Sequence, residues 1–377
     1  MRGPRRTEAA HEDLRAAAAS DAAARVMAEG AEAAGLAWPL AAWGVHEPVT
    51  CASFAERLAA NPFLMAPMAG VTDAAYRLMA RAGGAALAYS EMVSVTGIHY
   101  KSEKTWELVD PNPAEPELAV QLFGADVEHF REAVPLVAER LGERLALLDV
   151  NMACPVPKVT KGGAGSALLD TPLLAADIVC AIREELERYG RSELPVTVKI
   201  RIGRVPERVV GPEFARLMAA AGASAVAVHG RFASQMYRGE SDLAEVRRVV
   251  EATDVPVIAS GDALDPERAV RLLRESGSAG CFVARGTYGN PWVFGNARAL
   301  AVGESAVPVT PAMRLAAFRL HVRLLVATGA HIARARSLAG WYLRGVPEAA
   351  AWRERAMHCA TLEDYLALAD ELEASLG

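Results

Sequence analysis

Between residues 61 and 290, short apolar runs alternate with longer amphipathic stretches. The runs are FLMAP (63–67), AALAYS (85–90), ELAVQLFG (117–124), LALLDVN (145–151), PVTVKIR (195–201), SAVAVHG (224–230), VPVIASGD (255–262) and AGCFVARG (279–286). Most are apolar throughout rather than alternating, which is the pattern of strands buried on both faces of a parallel sheet. Stretches 125–140, 171–189, 211–221 and 264–275 fall between them and carry helical periodicity. Eight strands interleaved with helices over roughly 250 residues predict an α/β fold of the (β/α)8 TIM barrel type. An open doubly wound sheet is the alternative, but no run is followed by a G-x-G-x-x-G turn.

The flanks read differently. Residues 312–373 carry helical patterns only, with a break at RGVPEA (344–349). The chain therefore divides into an Ala-rich extension (1–52, partly disordered or helical), a barrel (53–305) and a smaller all-helical C-terminal domain (306–377). A chain start at Met27 is a second explanation of the extension. The helical region begins basic, with Arg314, Arg319, Arg323, Arg334, Arg336, Arg344, Arg353 and Arg355 against Glu348 and Glu354. It ends acidic, with Glu363, Asp364, Asp370, Glu371 and Glu373. For most of these charges the plain reading is a solvated helix face.

Composition narrows the class. Of 377 residues, 52% are hydrophobic and 23% charged, as in a soluble globular protein with a large core. No apolar run reaches the length of a membrane span. The N-terminus lacks the continuous apolar segment of a secretory signal. Five cysteines are scattered without a C-x-x-C pair, which argues against zinc, a cysteine-ligated cluster or a disulfide framework. A cytoplasmic, metal-free protein that does not bind membranes is expected, as a monomer. The net charge of −6 gives no overall attraction to nucleic acid, so any RNA binding needs a local basic patch.

In such a barrel, chemistry sits at the C-terminal ends of the strands. Those ends carry Pro67-Met68-Ala69-Gly70, Ser90-Glu91-Met92, Gln121, Asn151 with Cys154, Lys199 with Arg201, His229-Gly230-Arg231, Ser260-Gly261-Asp262 and Arg285-Gly286. Lys199, between Val198 and Ile200, is costly to bury unless it meets an anion or a polar cofactor. Glycine turns after the last two strands suit a phosphate, and Arg285 can add a charge-assisted bond. Lys199 suits an electron-rich ring such as a flavin, although composition alone does not separate FMN from a sugar phosphate. Cys154, in DVNMACPVPKVTKGGAGSALL (149–169), has two readings. It is an inert thiol closing a turn, or a thiol presented to a site. Pro155, Pro157, Lys158 and Lys161 favour exposure.

Seven segments together resemble one family. They are APMAGVTDAAYR (66–77), SEMVS (90–94), VQLFGAD (120–126), DVNMACPVPKVTKGGAGSALL, VTVKIRIG (196–203), AVHGRFASQMYRGE (227–240) and RGTYGNPW (285–292). They are similar, in order, to the tRNA-dihydrouridine synthases, nearest the bacterial B type. The resemblance implies an FMN-bearing barrel, a helical tRNA-binding domain and NADPH-dependent reduction of the C5–C6 double bond of uridines in tRNA. By motif match, Pro67, Met68, Ala69, Gln121, Lys199, Ser260, Gly261, Asp262, Ala284 and Arg285 would hold FMN. His229 would lie near its phosphate or the base, and Cys154 would be the catalytic acid. Glu91, Asn151, Lys158, Lys161, Arg231, Tyr237, Arg334 and Arg336 are the expected contacts to substrate tRNA. The chain departs from the family pattern at Ala153, Phe232, Ser260 and Ala284, where glycine, threonine, asparagine and glycine are usual. Two other functions fit parts of the sequence. One is a flavin enzyme acting on a free pyrimidine, like dihydroorotate dehydrogenase, which leaves the basic helices without a purpose. The other is a non-catalytic RNA-binding protein, against which Cys154, Lys199 and Gln121 speak.

Overall fold

The protein is described here by a computed structural model covering residues 22–38, 50–110 and 112–376. Its eight strands are β1 Phe63–Met65, β2 Tyr89–Ser94, β3 Leu118–Phe123, β4 Leu145–Met152, β5 Val196–Gly203, β6 Ala225–Phe232, β7 Val257–Ser260 and β8 Gly280–Val283. They pair in the order β1-β8-β7-β6-β5-β4-β3-β2, all in parallel. A parallel bridge from Met65 to Ala88, just before β2, joins the two ends. The sheet is thus the expected (β/α)8 barrel and not an open sheet. The amphipathic stretches form the helices Val127–Leu141, Pro172–Arg188, Gly211–Ala220 and Pro266–Ser276. Aspartates start several helices: Asp73, Asp126, Asp242 and Asp265 each accept a backbone N–H of the first turn. Each such cap stabilises its helix by about 1 kcal/mol.

Alternate strand residues point into the barrel. Its lower interior is apolar, filled by Leu64, Tyr89, Ala119, Leu147, Ala225, Ala227, Ile258 and Phe282. Phe54 and Leu58 of the helix Cys51–Ala60 join this cluster. A second, larger apolar layer lies between strands and helices. Following the inward series toward the C-terminal ends, the residues turn polar in layers set by the strand register. Gln121, Asp149 and Thr197 are neighbours on β3, β4 and β5, and Asn151 lies beside Lys199 above them. Arg201, His229 and Ser260 are neighbours one step further on. The polar strand ends of the sequence are therefore one continuous floor.

The C-terminal region is all-helical as expected, with helices Pro311–Ala327, Ala335–Tyr342, Ala349–His358 and Leu362–Leu376. The first buries Leu315, Phe318, Leu320, Leu324 and Leu325. It packs on the barrel helix Ala74–Ala82 and on a helix from the Ala-rich extension, Ala22–Gly30. This part of the extension is structured. Ala23, Ala24 and Met27 are buried, Glu29 pairs with Arg323, and a side chain at Gly30 would press on Leu320. Just beyond, the Ala34 carbonyl accepts from Trp292 Nε1 at 2.8 Å, and Ala37 N donates to the Ala82 carbonyl at 3.0 Å. Small side chains allow this close approach, and they also weaken the periodicity by which such a helix is read. A start at Met27 would remove Ala23 and Ala24 from the core. Residues 1–21 and 39–49 of the extension lie outside the described residues.

Candidate active site

At the C-terminal ends of the strands lies a cavity of about 530 Å³. It is lined by Pro67, Met68, Ala69, Gln121, Lys199, His229, Ser260, Gly261, Asp262, Ala284 and Arg285, the residues expected to hold a cofactor, and by Cys154. Of the residues expected to meet the nucleic acid, Asn151, Lys158, Arg231 and Tyr237 also line it. Glu91, Lys161, Arg334 and Arg336 do not.

The cations of the floor differ in what they face. Lys199 Nζ has no hydrogen-bond or ion-pair partner among the described residues. Burial, reinforced by the neighbouring Arg201, lowers its pKa to about 8 against weaker pulls from Asp149 and Cys154. An ammonium held this way lacks an acceptor. Arg201, for which the motif implies no role, is buried and bound to three backbone carbonyls. Its Nε donates to the Ala153 carbonyl at 2.9 Å, and its Nη1 donates to the carbonyls of Phe232 and Met236 at 3.0 and 3.1 Å. It ties the loop after β4 to the loop after β6. Arg231 is similarly bound to the Arg238 and Gly239 carbonyls and to Asp262 Oδ2, the last at 2.6 Å. Its third nitrogen lies 3.2 Å from His229 Nε2. A guanidinium only donates, so Nε2 accepts and the His229 proton sits on Nδ1. Burial, with Lys199, Arg201, Arg231 and Arg285 around it, holds the His229 pKa well below the ordinary value, so the ring is neutral.

Asp262 has φ +59°, strained for a residue with a side chain. Arg231, the backbone N–H of Ser241 and Arg285 hold its carboxylate there. Preceding it, Gly261 has φ +121°, and a Cβ would come within 2.9 Å of the His229 ring. This turn admits glycine only.

Cys154 is half-buried and faces the cavity, in contrast to Cys281, which is sealed in β8 with its thiol pKa pushed up by burial. Asn151 Oδ1 accepts from Ala153 N at 3.1 Å and Cys154 N at 2.9 Å, and the Cys154 carbonyl accepts from Ser166 N at 2.9 Å. The glycine-rich loop folds back on the cysteine: a Cβ at Gly165 would lie 2.7 Å from the Cys154 carbonyl oxygen. Lys158 and Lys161 are exposed on that loop, as is Tyr237 on the opposite rim beneath the Arg285 guanidinium.

Glu91 and Arg334 have a bracing geometry. Glu91 Oε2 accepts the Gly70 N–H at 2.6 Å, and its Oε1 accepts from Arg334 at 3.2 Å. Arg334 also reaches Asp73 at 2.9 Å. This links the loop after β1 to the C-terminal helices. Arg336 is exposed beside the Tyr365 hydroxyl, away from the cavity. Sequence reasoning passed over Met236, Phe282 and Tyr288, all of which line the cavity, and gave Met92 no role although it named it at a strand end. Tyr288 lies within the RGTYGNPW segment and stacks on Trp341 at 4.1 Å. The motif contained that signal, but the stacking partner lies 53 residues downstream.

Residues 64–376 match the family described as Dihydrouridine synthase (Dus). A relative from Xanthomonas axonopodis pv. citri, tRNA-dihydrouridine synthase B, is 34% identical over 312 residues, covering 81% of this chain and 90% of its own. The tRNA-dihydrouridine synthase B of Shewanella oneidensis is 34% identical over 287 residues, covering 75% and 86%. Among solved structures, the DHODH of Eimeria tenella aligns at 16% identity and a TM-score of 0.44 over 65% of this chain and 83% of that one. By the family match and these relatives, the chain belongs to the dihydrouridine synthases, and it is an oxidoreductase.

Proposed function

We propose that the protein is a cytoplasmic tRNA-dihydrouridine synthase that uses bound FMN and NADPH to reduce the C5–C6 double bond of uridines in tRNA. The observation that carries this reading is the partnerless Lys199 ammonium, in one cavity with Gln121 and Cys154. The donor set fits a flavin nucleotide. Pro67, Met68 and Ala69 offer an apolar wall with backbone polar groups, and Gln121 offers an amide. Lys199 offers a positive charge to an electron-rich ring. The turn at Gly261 and the exposed Arg285 guanidinium offer donors to a phosphate. Ser260 and Ala284 are compatible with this set if the backbone there makes the contact. When bound, FMN supplies hydride taken from NADPH.

The chain's own groups do the rest. Saturating C5–C6 needs a proton at C5 as well as hydride at C6. Cys154 can reach a base swung out of its stack, and its thiol delivers that proton. Neutral His229, with its proton on Nδ1, is a hydrogen-bond donor and not a competing acid. Exposed Lys158 and Lys161 beside the cavity, with Arg344 in the turn after the helix Ala335–Tyr342 and Arg353 on the next helix, carry phosphate contacts. Dihydrouridine mapping in tRNA from a strain lacking this chain, with and without its return, tests the reading. Absence of flavin from the purified protein even after incubation with FMN would overturn it.

A further inference from the structure

Asp149 is buried in the polar layer below the cavity and does not line it. An ionised carboxylate can only accept hydrogen bonds. Its Oδ2 takes one from Gln121 Nε2 at 2.6 Å, and its Oδ1 takes one from Thr197 Oγ1 at 2.5 Å. With its nitrogen committed, Gln121 must turn Oε1 the other way, and it accepts there from Asn151 Nδ2 at 2.8 Å. With its own nitrogen committed, Asn151 turns Oδ1 onto the N–H groups of Ala153 and Cys154. The series is pinned at both ends, by the donor N–H groups of Ala153 and Cys154 and by the acceptor carboxylate of Asp149. A half-turn of either amide would set donor against donor or acceptor against acceptor, so the carboxylate is the anchor that ties the loop's end of the series to the barrel interior.

We propose that Asp149 is a positioning residue that orients the Gln121 and Asn151 amides and thereby holds the loop of Cys154 at the cavity. The proposal deepens the synthase reading and rests on it for the effect on tRNA. Burial raises the Asp149 pKa to about 6, with Gln121, Thr197 and Lys199 opposing, so the carboxylate is charged at neutral pH as the series requires.

The test compares Asp149→Leu with Thr197→Val. An amide at 149 would not serve, because its oxygen could still face Gln121 while its NH2 donates to the Thr197 hydroxyl, which accepts as readily as it donates. Leucine has nearly the same shape as aspartate and offers no acceptor. Thr197→Val removes one donor and leaves the carboxylate to orient Gln121. The first readout is iodoacetamide labelling of Cys154 in flavin-free protein, resolved by peptide mass. Asp149→Leu is expected to raise it by roughly threefold or more as the loop loosens. In FMN-loaded protein, single-turnover oxidation by unmodified tRNA should fall by about 10- to 100-fold, while reduction by NADPH stays near wild type. Thr197→Val should resemble wild type in all three. Wild-type labelling and tRNA oxidation in Asp149→Leu would overturn the proposal, as would equal losses in Thr197→Val, which would mark the layer as packing alone. If Asp149→Leu does not fold, Gln121→Met breaks the series one link later. Faster Cys154 labelling there supports the proposal, and unchanged labelling overturns it. If the wild type itself neither binds FMN nor oxidises with tRNA, the synthase reading fails, while the labelling result still decides the positioning role.

Discussion

The cavity floor and the C-terminal helices both concentrate cations, and they use them in opposite ways. On the helices, Arg319 faces Asp370 and Glu373, Arg323 faces Glu29, Arg334 faces Asp73 and Glu91, and Arg355 faces Glu371. Arg314 donates to the Gly289 carbonyl at 3.2 Å. Half of the eight arginines are thus neutralised inside the protein, partly by the acidic last helix. On the floor, Asp262 is the only carboxylate among the described residues that lines the cavity, and it serves Arg231 and Arg285. Lys199 is left facing the cavity alone. What a cation does follows from its partners, and partners are set by packing across long sequence separations. The basic stretch from 314 to 355 therefore overstates the surface open to RNA. The helices also cover the helix Ala74–Ala82, so a chain cut near residue 305 would expose apolar surface and should not survive as a folded FMN-binding unit.

The largest expected effect lies on the cavity side. Cys154→Ala should slow oxidation of the pre-reduced enzyme by tRNA by about 10²–10⁴-fold, the usual contribution of a positioned acid, with flavin reduction by NADPH unchanged. Rapid-mixing absorbance of the flavin reads both steps. A wild-type rate would return this thiol to the role of turn-closing residue. Next in size, Lys199→Ala removes a charge-assisted bond worth roughly 1.5–3 kcal/mol, or about 10- to 100-fold in FMN affinity by fluorescence titration. Undiminished affinity would mean that Lys199 faces something else.

The same lysine sets a pH dependence. Its pKa in the folded protein is about 8, below the ordinary 10.5. Without a bound anion, the charge therefore destabilises the fold at pH below about 8, and stability should rise with pH from there toward the ordinary lysine value. For an anionic or electron-rich ligand the sign reverses, because binding favours the protonated form. FMN affinity should be flat just below pH 8 and weaken above it by up to about tenfold per unit. Lys199→Arg, always charged, should remove that bend. A bend that persists in the arginine variant would assign it to another group.

Much of this was legible in the sequence, for a physical reason. Strands buried on both faces must be apolar, so each barrel strand announces itself, and a polar residue at its end is conspicuous against that background. Gln121, Lys199 and His229 were visible for this reason. Asp149 was equally anomalous within LALLDVN, but its meaning depends on Gln121 and Thr197, which only the strand register brings together. Arg231 and Arg334 were read as RNA contacts because charge is legible and partnership is not. The extension was expected to be partly disordered or helical, and its described part holds the helix Ala22–Gly30; where that helix docks could not be read, because an Ala-rich helix carries little periodicity and owes its place to Leu320, Arg323 and Trp292 far along the chain.

The smallest effects sharpen the comparison most directly. If the helices act on tRNA through phosphate contacts, only cations without internal partners should matter. Arg344 and Arg353 have no carboxylate partner among the described residues, and Arg344 is exposed. Removing a phosphate contact lowers the slope of log affinity against log salt by about 0.9 on duplex regions. Arg344→Ala and Arg353→Ala should each weaken tRNA binding modestly and reduce that slope by an amount of this order. Arg319→Ala should leave both unchanged, because its guanidinium is shared between Asp370 and Glu373 at 2.7 and 2.8 Å. If anything, the two freed carboxylates would repel RNA slightly. A salt series of filter-binding measurements on the three variants reads the difference. If Arg319→Ala flattens the slope as much as Arg344→Ala, the internal pairs open on binding, and the two groups of cations are not as distinct as their partners make them.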